Sequence, residues 1–232
     1  MELNAEHEPG PHPVPRLAPV PLVEVDRIAF HFSTRSVFHE LSLAFAPGLT
    51  WLHGANGRGK TTLLKLLGGA LAPGGGAVRL AGIDSRGAPL AYRRQCFYCG
   101  GDAPALEWLS VREWLDLHLS LYSGADGAAL RIGLDAFGIA AIGAQPVSNL
   151  SLGQYKKLQL SLALALPVRL LLLDEPFNGL DMPAVTLLET LLAQRATRHV
   201  AAQDGAIVLT SHLAPRLTPT ATLDLDAVPG VL

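Results

Sequence analysis

An α/β fold with a mainly parallel sheet and an inserted helical subdomain is what the sequence predicts, and three observations support it. From residue 22 onward, short apolar runs alternate with longer segments of helical periodicity, which is typical of strands joined by helices. A glycine-rich loop separates the first clear strand from the first clear helix. Residues 101–167 carry helical patterns and no clear strand, which predicts the insertion. The predicted strands are 48–53, 95–99, 169–173 and 206–210, and the predicted helices are 60–71, 109–122, 152–166 and 182–194.

Length and composition favour one large domain, residues 22–232. A chain of 232 residues with 49% hydrophobic and 16% charged residues can bury a sizeable core, and its mean hydropathy of +0.30 suggests a surface partly covered by a partner. The net charge of −2 argues against a basic nucleic-acid surface. The longest uncharged run, 136–155, contains polar residues, Pro and Gly, and the N-terminus lacks an apolar stretch. Neither a membrane span nor a secretory signal is therefore predicted, and we expect a cytoplasmic protein.

The first 21 residues are predicted to form a separate, extended tail. Six prolines lie between residues 9 and 21, and proline lacks the N–H group that helices and sheets use. The tail is either a plain flexible extension or a segment that binds a partner, and the sequence leaves both interpretations open.

Residues 54–61, GANGRGKT, predict a phosphate-binding loop. They match G-x-x-x-x-G-K-[ST] and lie between a predicted strand and a predicted helix, which is the context that the motif requires. The glycines let backbone N–H groups approach phosphate oxygens, Lys60 brings a positive charge to the β- and γ-phosphates, and the Thr61 hydroxyl can ligate Mg²⁺. The alternative, a glycine-rich turn without a ligand, is disfavoured because every fixed position of the motif is filled.

Residues 170–176, LLLLDEP, place two carboxylates at the end of a predicted buried strand. In open α/β sheets, ligands bind outside the carboxyl ends of the strands. Asp174 is therefore predicted to hold Mg²⁺ through water, and Glu175 to orient or deprotonate an attacking water. The alternative is a strand that ends in two solvated acids, and the phosphate loop makes it the weaker interpretation.

Residues 149–157, NLSLGQYKK, predict a helix whose start suits an anion. Ser151 and Gly153 precede the helical run, so a hydroxyl and free N–H groups point toward whatever lies there. Taken alone, the segment fits an ordinary helix start at least as well. Its position shortly before the paired carboxylates is what favours a functional role.

Together, these three motifs resemble those of the ATP-binding subunits of ABC transporters over about residues 22–225. GANGRGKT is similar to the Walker A motif, LSLGQ to the ABC signature, and LLLLDEP to Walker B. NGLD at 178–181 resembles the D-loop, and His212 in LTSHL resembles the switch histidine. Phe32 lies where the family places an aromatic ring that stacks on adenine, although a core strand residue is the other interpretation.

The resemblance implies a P-loop NTPase core of the ABC ATPase type, with Mg²⁺-dependent hydrolysis of ATP. In this family two subunits pair head to tail, and each ATP lies between Walker A of one copy and the signature of the other, so a homodimer is expected. Membrane-spanning subunits would be separate chains, which implies a peripheral position on the cytoplasmic face of the inner membrane and no nucleic-acid partner. The implied catalytic residues are Glu175, His212 and Lys60, and the implied metal residues are Thr61, Asp174 and Asp102. The implied nucleotide-binding residues are Phe32, Gly54, Asn56, Gly57, Gly59, Lys60, Thr61, Thr62, Ser151, Gly153 and Gln154.

One position departs from the family pattern. The family usually has Gln at the end of the strand before the helical subdomain, where it touches Mg²⁺ and communicates with the membrane partner. Asp102 or Gly101 occupies that place here, and Gln95 comes too early. Asp102 could reach the water shell of the metal with a shorter, charged side chain, and the sequence leaves open whether it replaces the Gln.

Two cysteines are interpreted as structural. Cys96 and Cys99 form a C-x-x-C sequence, but residues three apart on a strand face opposite sides of the sheet. No second pair completes four metal ligands, and no helix start lowers a thiol pKa. Neither a metal site nor a redox site is therefore predicted.

Several ring-bearing residues are likewise interpreted as core. His53 precedes Gly54 on a buried strand and is predicted to be a satisfied core histidine. Trp108, Trp114 and Tyr122 are predicted to be mainly core by their spacing, and a groove for a membrane partner is the alternative.

The leading functional hypothesis is a transporter ATPase. The alternatives are a soluble ABC ATPase of translation or DNA repair, and a small-molecule kinase or unrelated P-loop enzyme. For the cargo, DEPF after the leucines and Ser211–His212 near the end resemble the haem-exporter subunits of cytochrome c maturation. Another small exporter, of lipids, peptides or antibiotics, and an importer stay open at this point.

Overall fold

The computed structural model describes residues 21–33, 35–101 and 106–232, and the predicted α/β fold is confirmed. Most of the predicted tail and Asp102 lie outside the described residues. The strands are β1 (Val23–His31), β2 (Ser36–Phe45), β3 (Gly48–His53), β4 (Gly75–Leu80), β5 (Ile83–Asp84), β6 (Cys96–Cys99), β7 (Leu170–Asp174), β8 (Ala206–Thr210) and β9 (Ala221–Asp224). The helices are α1 (Lys60–Leu67), α2 (Pro89–Arg93), α3 (Val111–Leu121), α4 (Gly127–Ala136), α5 (Leu152–Ala165) and α6 (Met182–Ala202).

Five strands form a parallel sheet in the order β6-β7-β8-β3-β9. The four leucines of β7 are fully buried, as expected for a central parallel strand that is covered on both faces. In the register of this sheet, Thr210 at the end of β8 pairs with Asp174 of β7 on one side and with Leu52 of β3 on the other. The glycine loop that follows β3 and the carboxylates at the end of β7 therefore meet at one edge.

A second, antiparallel sheet in the order β2-β1-β4-β5 differs from the predicted, mainly parallel architecture. Its strands mix buried and exposed residues in an irregular order, and register shifts interrupt β1 between Val25 and Ile28 and again before His31. Bulges break the period of two on which strand prediction rests. The parallel prediction thus holds for the sheet that carries the loop and the carboxylates.

Two predicted helices have different ends in the structure. α1 stops at Leu67 instead of residue 71, because Gly68 caps it and Gly69 follows with a φ of 69°. α6 continues eight residues beyond the predicted end at 194, to Ala202. No helix in the described parts of the chain has the length and apolarity that crossing a bilayer requires.

Helices α3, α4 and α5 occupy the described part of the predicted helical insertion, whose boundaries stay a prediction. Ser110 forms a capping box with Glu113 at the start of α3, and Ser151 forms another with Gln154 at the start of α5. Asp126 caps α4 through its carboxylate. These short polar side chains satisfy the first N–H groups of each helix, so the local sequence sets where each helix begins.

A buried arginine joins the end of α5 to α6. Arg195 of α6 is only 6% exposed, and its Nε donates a hydrogen bond to Nε2 of His199 at 3.2 Å. The last carbonyls of an α-helix lack partners within the helix, and the guanidinium supplies donors to them. The four carbonyl oxygens that accept from Arg195 belong to Ala163, Leu164, Leu166 and Val168.

The parallel sheet separates two hydrophobic clusters, and Cys96 and Cys99 fall into different ones. The prediction that they face opposite sides of the sheet is thus confirmed. Burial raises the pKa of the Cys96 thiol to about 12 and that of the Cys99 thiol to about 11. Neither side chain supplies a thiolate at neutral pH, in keeping with a structural role.

Candidate active site

The glycine loop between β3 and α1 has a backbone that only glycine adopts without strain at three positions. Gly54, Gly57 and Gly59 have φ angles of 143°, 79° and 93°. A Cβ on Gly59 would also lie 2.7 Å from Cγ1 of Val37, so this position has no room for a side chain. The loop runs directly into α1 at Lys60, and the predicted strand–loop–helix context is confirmed.

Lys60 lies folded over this loop. Its Nζ donates hydrogen bonds to the carbonyl oxygens of Gly54 at 2.7 Å and Ala55 at 3.1 Å, and only 9% of the residue is exposed. Asn56 is exposed in the loop, and Thr62 is half-buried in the first turn of α1. The charged ammonium group of Lys60 is thus bound by uncharged carbonyl oxygens of the loop.

The carboxylate of Asp174 is held by three hydroxyl groups. Thr61 Oγ1 donates to Oδ2 at 2.7 Å, Thr210 Oγ1 donates to Oδ1 at 2.7 Å, and the hydroxyl of Tyr98 donates to Oδ2 at 3.2 Å. The hydroxyl of Thr61 and the carboxylate are hard oxygen donors, which suit Mg²⁺. Among the described residues, no cluster of three or more His, Cys, Asp or Glu competes as a metal site. One carboxylate and one hydroxyl fit a Mg²⁺ whose other ligands are phosphates and water.

Glu175 and His212 come together beside Asp174. Nε2 of His212 lies 3.6 Å from Oε1 of Glu175, and the backbone N–H of His212 donates to Oε2 at 3.3 Å. Glu175 has a φ of 47°, which is unusual for a residue with a side chain, and its N–H donates to Thr210 Oγ1 at 3.1 Å. The turn after β7 thus directs the second carboxylate toward the segment that follows β8.

The signature residues Ser151, Gly153 and Gln154 form the start of α5. Gln154 N–H donates to Ser151 Oγ at 3.2 Å, and Ser151 N–H donates to Gln154 Oε1 at 2.9 Å. A Cβ on Gly153 would lie 3.0 Å from the carbonyl oxygen of Gly179, so the NGLD segment packs against this helix start. Within the described residues, the hydrogen bonds of Ser151 and Gln154 stay inside this turn, and none reaches the glycine loop of the same chain.

Phe32 is half exposed just beyond the end of β1. Its ring packs edge-on against Phe30, with 5.0 Å between the centroids, and 50% of the residue is exposed. The alternative interpretation of a core strand residue is therefore wrong, because β1 ends before Phe32 and leaves the ring at the surface. Arg35, in the same turn, donates to the carbonyl oxygen of Gly57 at 2.8 Å and so links this turn to the glycine loop.

Three residues at this edge were not predicted: Tyr98, Thr210 and Asp226. The first two bind Asp174, as described above. Asp226 accepts hydrogen bonds from the backbone N–H of Ala55 at 2.8 Å and from Nε of Arg58 at 2.6 Å. The hydrogen bond from Arg58 is the main reason why the pKa of Asp226 lies below its usual value. Thr210 could have been found from its place at the end of a predicted strand, whereas Asp226 belongs to no motif.

His53 is not the satisfied core histidine that the sequence predicts. Its side chain is 30% exposed, and Nδ1 lies 3.7 Å from Oδ1 of Asp224. Its ring also packs on Trp51, with 4.6 Å between the centroids. The pairing of β3 with the edge strand β9 brings Asp224 beside His53 at the rim of the sheet, which the sequence did not indicate.

An apolar groove of about 660 Å³ lies between α3, α5 and β6. The core prediction is confirmed for Trp114, which is 2% exposed, and is wrong for Trp108, which is 79% exposed in the turn before α3. Tyr122 is half-buried, and its hydroxyl donates to the carbonyl oxygen of Cys96 at 2.9 Å. The residues that line the groove include Phe97, Tyr98, Trp114, Leu117, Tyr122 and Tyr155.

Comparison with known protein families shows what the chain is similar to. A family model described as "ABC transporter" matches residues 38–178, and a second, "AAA domain, putative AbiEii toxin, Type IV TA system", matches residues 140–217. The cytochrome c biogenesis ATP-binding export protein CcmA of Rhodospirillum rubrum is 35% identical over 193 residues, which are 83% of this chain and 80% of the relative. The CcmA of Methylococcus capsulatus is 36% identical over 181 residues, 77% of this chain and 84% of the relative.

Solved structures agree with this assignment. A structure described as the ATP-binding subunit of an ABC transporter has a TM-score of 0.76 and 26% identity, and the match covers 90% of each chain. The cbiO1 protein of Clostridium perfringens, part of the ABC transporter complex cbiONQ, has a TM-score of 0.61 and 21% identity over 83% of this chain and 79% of that one, which is a likeness of fold alone.

Fold and motifs therefore define an ATP-binding subunit, and the chain belongs to the ABC transporter family. It is a nucleotide-binding ATPase, homologous to the CcmA export ATPases. A transport role is thereby favoured over a soluble role in translation or DNA repair.

Proposed function

We propose that this chain binds Mg²⁺ and ATP in a site shared by two copies and hydrolyses the ATP to power export through separate membrane subunits. One observation carries the proposal, the 2.7 Å hydrogen bond from Thr61 Oγ1 to Asp174 Oδ2. It joins two segments 113 residues apart in sequence, at the edge where open α/β sheets bind their ligands.

In this proposal, Thr61 and Asp174 hold the metal, and Lys60 holds the phosphates together with the N–H groups of the glycine loop. Bound Mg²⁺ neutralises charge on the β- and γ-phosphate oxygens. Lys60 exchanges its neutral carbonyl acceptors for charged phosphate oxygens, which form stronger hydrogen bonds. A metal-facing role for Asp102 stays a proposal of the same kind. The loop positions that complete the phosphate site are Gly54, Asn56, Gly57, Gly59 and Thr62.

Glu175 is the proposed general base, with His212 as its partner. A carboxylate within reach of an attacking water can accept its proton, and the contact with His212 supports a shared role at the γ-phosphate. Support also comes from the positive φ of Glu175, because such backbone strain often occurs at functional sites.

A second copy of the chain completes the site in this proposal. Among the described residues, the start of α5 forms no hydrogen bond to the glycine loop of its own chain, and Leu152 beside it is 89% exposed. A helix N-terminus favours negative charge, so Ser151, Gly153 and Gln154 suit the phosphates of a nucleotide bound to the partner. Phe32 supplies an exposed aromatic face for the adenine.

The apolar groove is the proposed docking place for a membrane subunit. Leu117 and Leu121 of α3 are 42% and 57% exposed beside it, an apolar surface that is costly to leave in water. Docking there would hold the chain peripherally on the cytoplasmic face of the inner membrane. For the cargo, the curated relatives named as cytochrome c biogenesis export proteins support a role in the maturation of c-type cytochromes.

The test of the shared ATPase site uses Glu175→Gln, which keeps the shape of the side chain and removes its charge. We expect this variant to bind ATP, to hydrolyse it roughly 10²–10⁴-fold more slowly, and to form an ATP-dependent dimer in light scattering. Glu24→Gln, on the exposed face of β1, is the matched control and should turn over normally. Wild-type turnover by Glu175→Gln would exclude Glu175 as the base, and the same mass with and without ATP would exclude the shared site.

The cargo is tested separately, in cells that lack this gene. We expect such cells to lose covalently attached haem in their c-type cytochromes, seen by haem staining of separated membrane proteins. Complementation with the wild-type gene should restore the staining, and complementation with the Glu175→Gln gene should not. Normal staining in the deletion strain would remove cytochrome maturation and leave the ATPase assignment intact.

A further inference from the structure

Tyr98 connects the apolar groove to the carboxylate of Asp174. It belongs to β6, where it pairs in register with Leu172 of β7, and its hydroxyl donates to Oδ2 of Asp174, the last residue of β7, at 3.2 Å. Its ring lines the groove beside Phe97 and Trp114. One side chain therefore has its ring in the groove and its hydroxyl on the proposed metal carboxylate.

Gly100 leaves the space that the hydroxyl of Tyr98 occupies. A Cβ on Gly100, two residues along the chain, would overlap with the hydroxyl and the ring of Tyr98. Gly100 has an ordinary backbone conformation, so the left-handed region does not explain the glycine. The absence of a side chain at Gly100 is what permits Tyr98 to reach Asp174.

The χ2 torsion of aspartate has a broad energy minimum, so hydrogen bonds determine the orientation of the two carboxylate oxygens. Asp174 is 9% exposed and has one donor on Oδ1, from Thr210, and two on Oδ2, from Thr61 and Tyr98. Oδ2 is thus the oxygen that is shared between the phosphate loop and the groove. Loss of the Tyr98 hydroxyl would leave Thr61 as the remaining donor on that oxygen among the described contacts.

We infer that Tyr98 is a positioning residue for the metal site: the hydroxyl of this groove-lining side chain fixes the orientation of the Asp174 carboxylate. The inference rests on the proposed function, because it takes Thr61 and Asp174 to be the residues that hold Mg²⁺. Hydrogen-bond partners behind a metal ligand orient it, and their removal typically weakens metal binding about 10–100-fold. Tyr98 thereby makes the shape of the groove and the geometry of the metal carboxylate depend on the same side chain.

The experiment measures metal binding without turnover, with full-length protein saturated with ADP and with Mn²⁺ followed by EPR. We expect Tyr98→Phe to weaken Mn²⁺ binding roughly 10-fold and to leave the affinity for ADP in EDTA unchanged. Tyr122→Phe is the matched control, since its hydroxyl lies at the same groove and binds the carbonyl of Cys96 instead. It should leave both affinities unchanged.

Gly100→Ala is the second variant, because it displaces the hydroxyl of Tyr98 without removing it. It should weaken Mn²⁺ binding as Tyr98→Phe does. Wild-type Mn²⁺ affinity in Tyr98→Phe overturns the inference, and so does an equal loss of ADP and Mn²⁺ binding, which would mean general damage. Asp174→Asn distinguishes failure of the proposed metal site from failure of the role of Tyr98. If Asp174→Asn also binds Mn²⁺ with wild-type affinity, the proposed metal site is wrong. If Asp174→Asn is the one variant that loses Mn²⁺ binding, the metal site holds and the role of Tyr98 is wrong.

Discussion

Oδ2 of Asp226 accepts a hydrogen bond from the backbone N–H of Ala55 at 2.8 Å, although the two residues are 171 positions apart in sequence. The same carboxylate accepts from Nε of Arg58 at 2.6 Å, so the turn after β9 grips the glycine loop at two points. On the other side of the loop, Arg35 donates to the carbonyl oxygen of Gly57. The loop is thus held by side chains from both ends of the domain.

The first prediction concerns the two hydrogen bonds that Asp226 accepts from the glycine loop. Asp226→Ala removes both hydrogen bonds, and we expect a several-fold weaker affinity for ATP, because the free loop must then be ordered by the ligand itself. Isothermal titration with ATP measures the effect. Asp26→Asn, at a surface carboxylate near Arg27, is the control. Equal affinities of Asp226→Ala and wild type would show that the loop is ordered without Asp226.

A second prediction addresses the proposed site shared by two copies. Ser151→Arg places a large cation where the phosphates of a partner's nucleotide would lie, and we expect turnover to be lost while the isolated chain still binds ATP. The substitution also removes a helix cap, which costs about 1 kcal/mol of stability. Ser110→Arg removes the equivalent cap from α3 and controls for that cost. Loss of ATP binding by the monomeric Ser151→Arg protein would mean that α5 serves its own nucleotide.

The third prediction is a pH dependence of stability that originates at His199. Its Nε2 accepts from Arg195 and its Nδ1 donates to Asp204 at 2.7 Å, which describes a neutral ring. Burial is the main cause that lowers the pKa of His199 from 6.5. As the pH falls below about 6.5, the histidine of the unfolded chain becomes protonated, whereas His199 in the folded chain stays neutral to lower pH. The free energy of unfolding therefore decreases as the pH falls through this range.

Urea unfolding between about pH 7.5 and about pH 5.5, where histidine titrates, measures this dependence. We expect wild type to lose more stability over this interval than His199→Gln, whose amide can replace both hydrogen bonds without titrating. The other histidines contribute equally to both proteins and cancel. Identical pH profiles for the two proteins would remove His199 as the source.

The fourth prediction concerns the adenine. Phe32→Ala should cost roughly 1–3 kcal/mol of ATP binding, the range for stacking of a base on an aromatic ring. Stability should change little, because half of the residue is exposed already. Leu90→Ala, at a residue that is 71% exposed on α2, controls for the loss of surface apolar area. Unchanged ATP affinity in Phe32→Ala would place the adenine elsewhere.

The glycine loop, the β7 carboxylates and the start of α5 were predictable because each is a short local pattern in which residue types and spacing carry the chemistry. Thr61 and Asp174 could even be expected to meet, since both lie at the carboxyl edge of a parallel sheet. The grip of Asp226 on the loop depends instead on the pairing of β9 with β3, a short edge strand without a strong pattern. The contact of Tyr98 with Asp174 depends in the same way on β6 lying next to β7.

The length of α6 shows a second limit of sequence patterns. Apolar residues become sparse after Gln194, and the predicted helix ends there although arginine is a good helix former. The structure buries Arg195 because the carbonyls at the end of α5 accept its hydrogens. A long-range contact of this kind is not visible in the local pattern from which the ends of helices are predicted.

Arg195 also links the two helices that begin at LSLGQ and just after NGLD. Its five N–H donors are all used, one on His199 and four on carbonyls at and just after the end of α5, so the interior of α6 is tied to the far end of α5. The near ends of these helices carry LSLGQ and NGLD, and there Lys157 of α5 pairs with Asp181 at 2.5 Å. The two helices are thus linked at two places, by Arg195 and by the Lys157–Asp181 pair. We therefore expect a substitution at Arg195 to disturb the packing of α5 against α6 and, in the proposed site shared by two copies, to change the spacing of LSLGQ and NGLD.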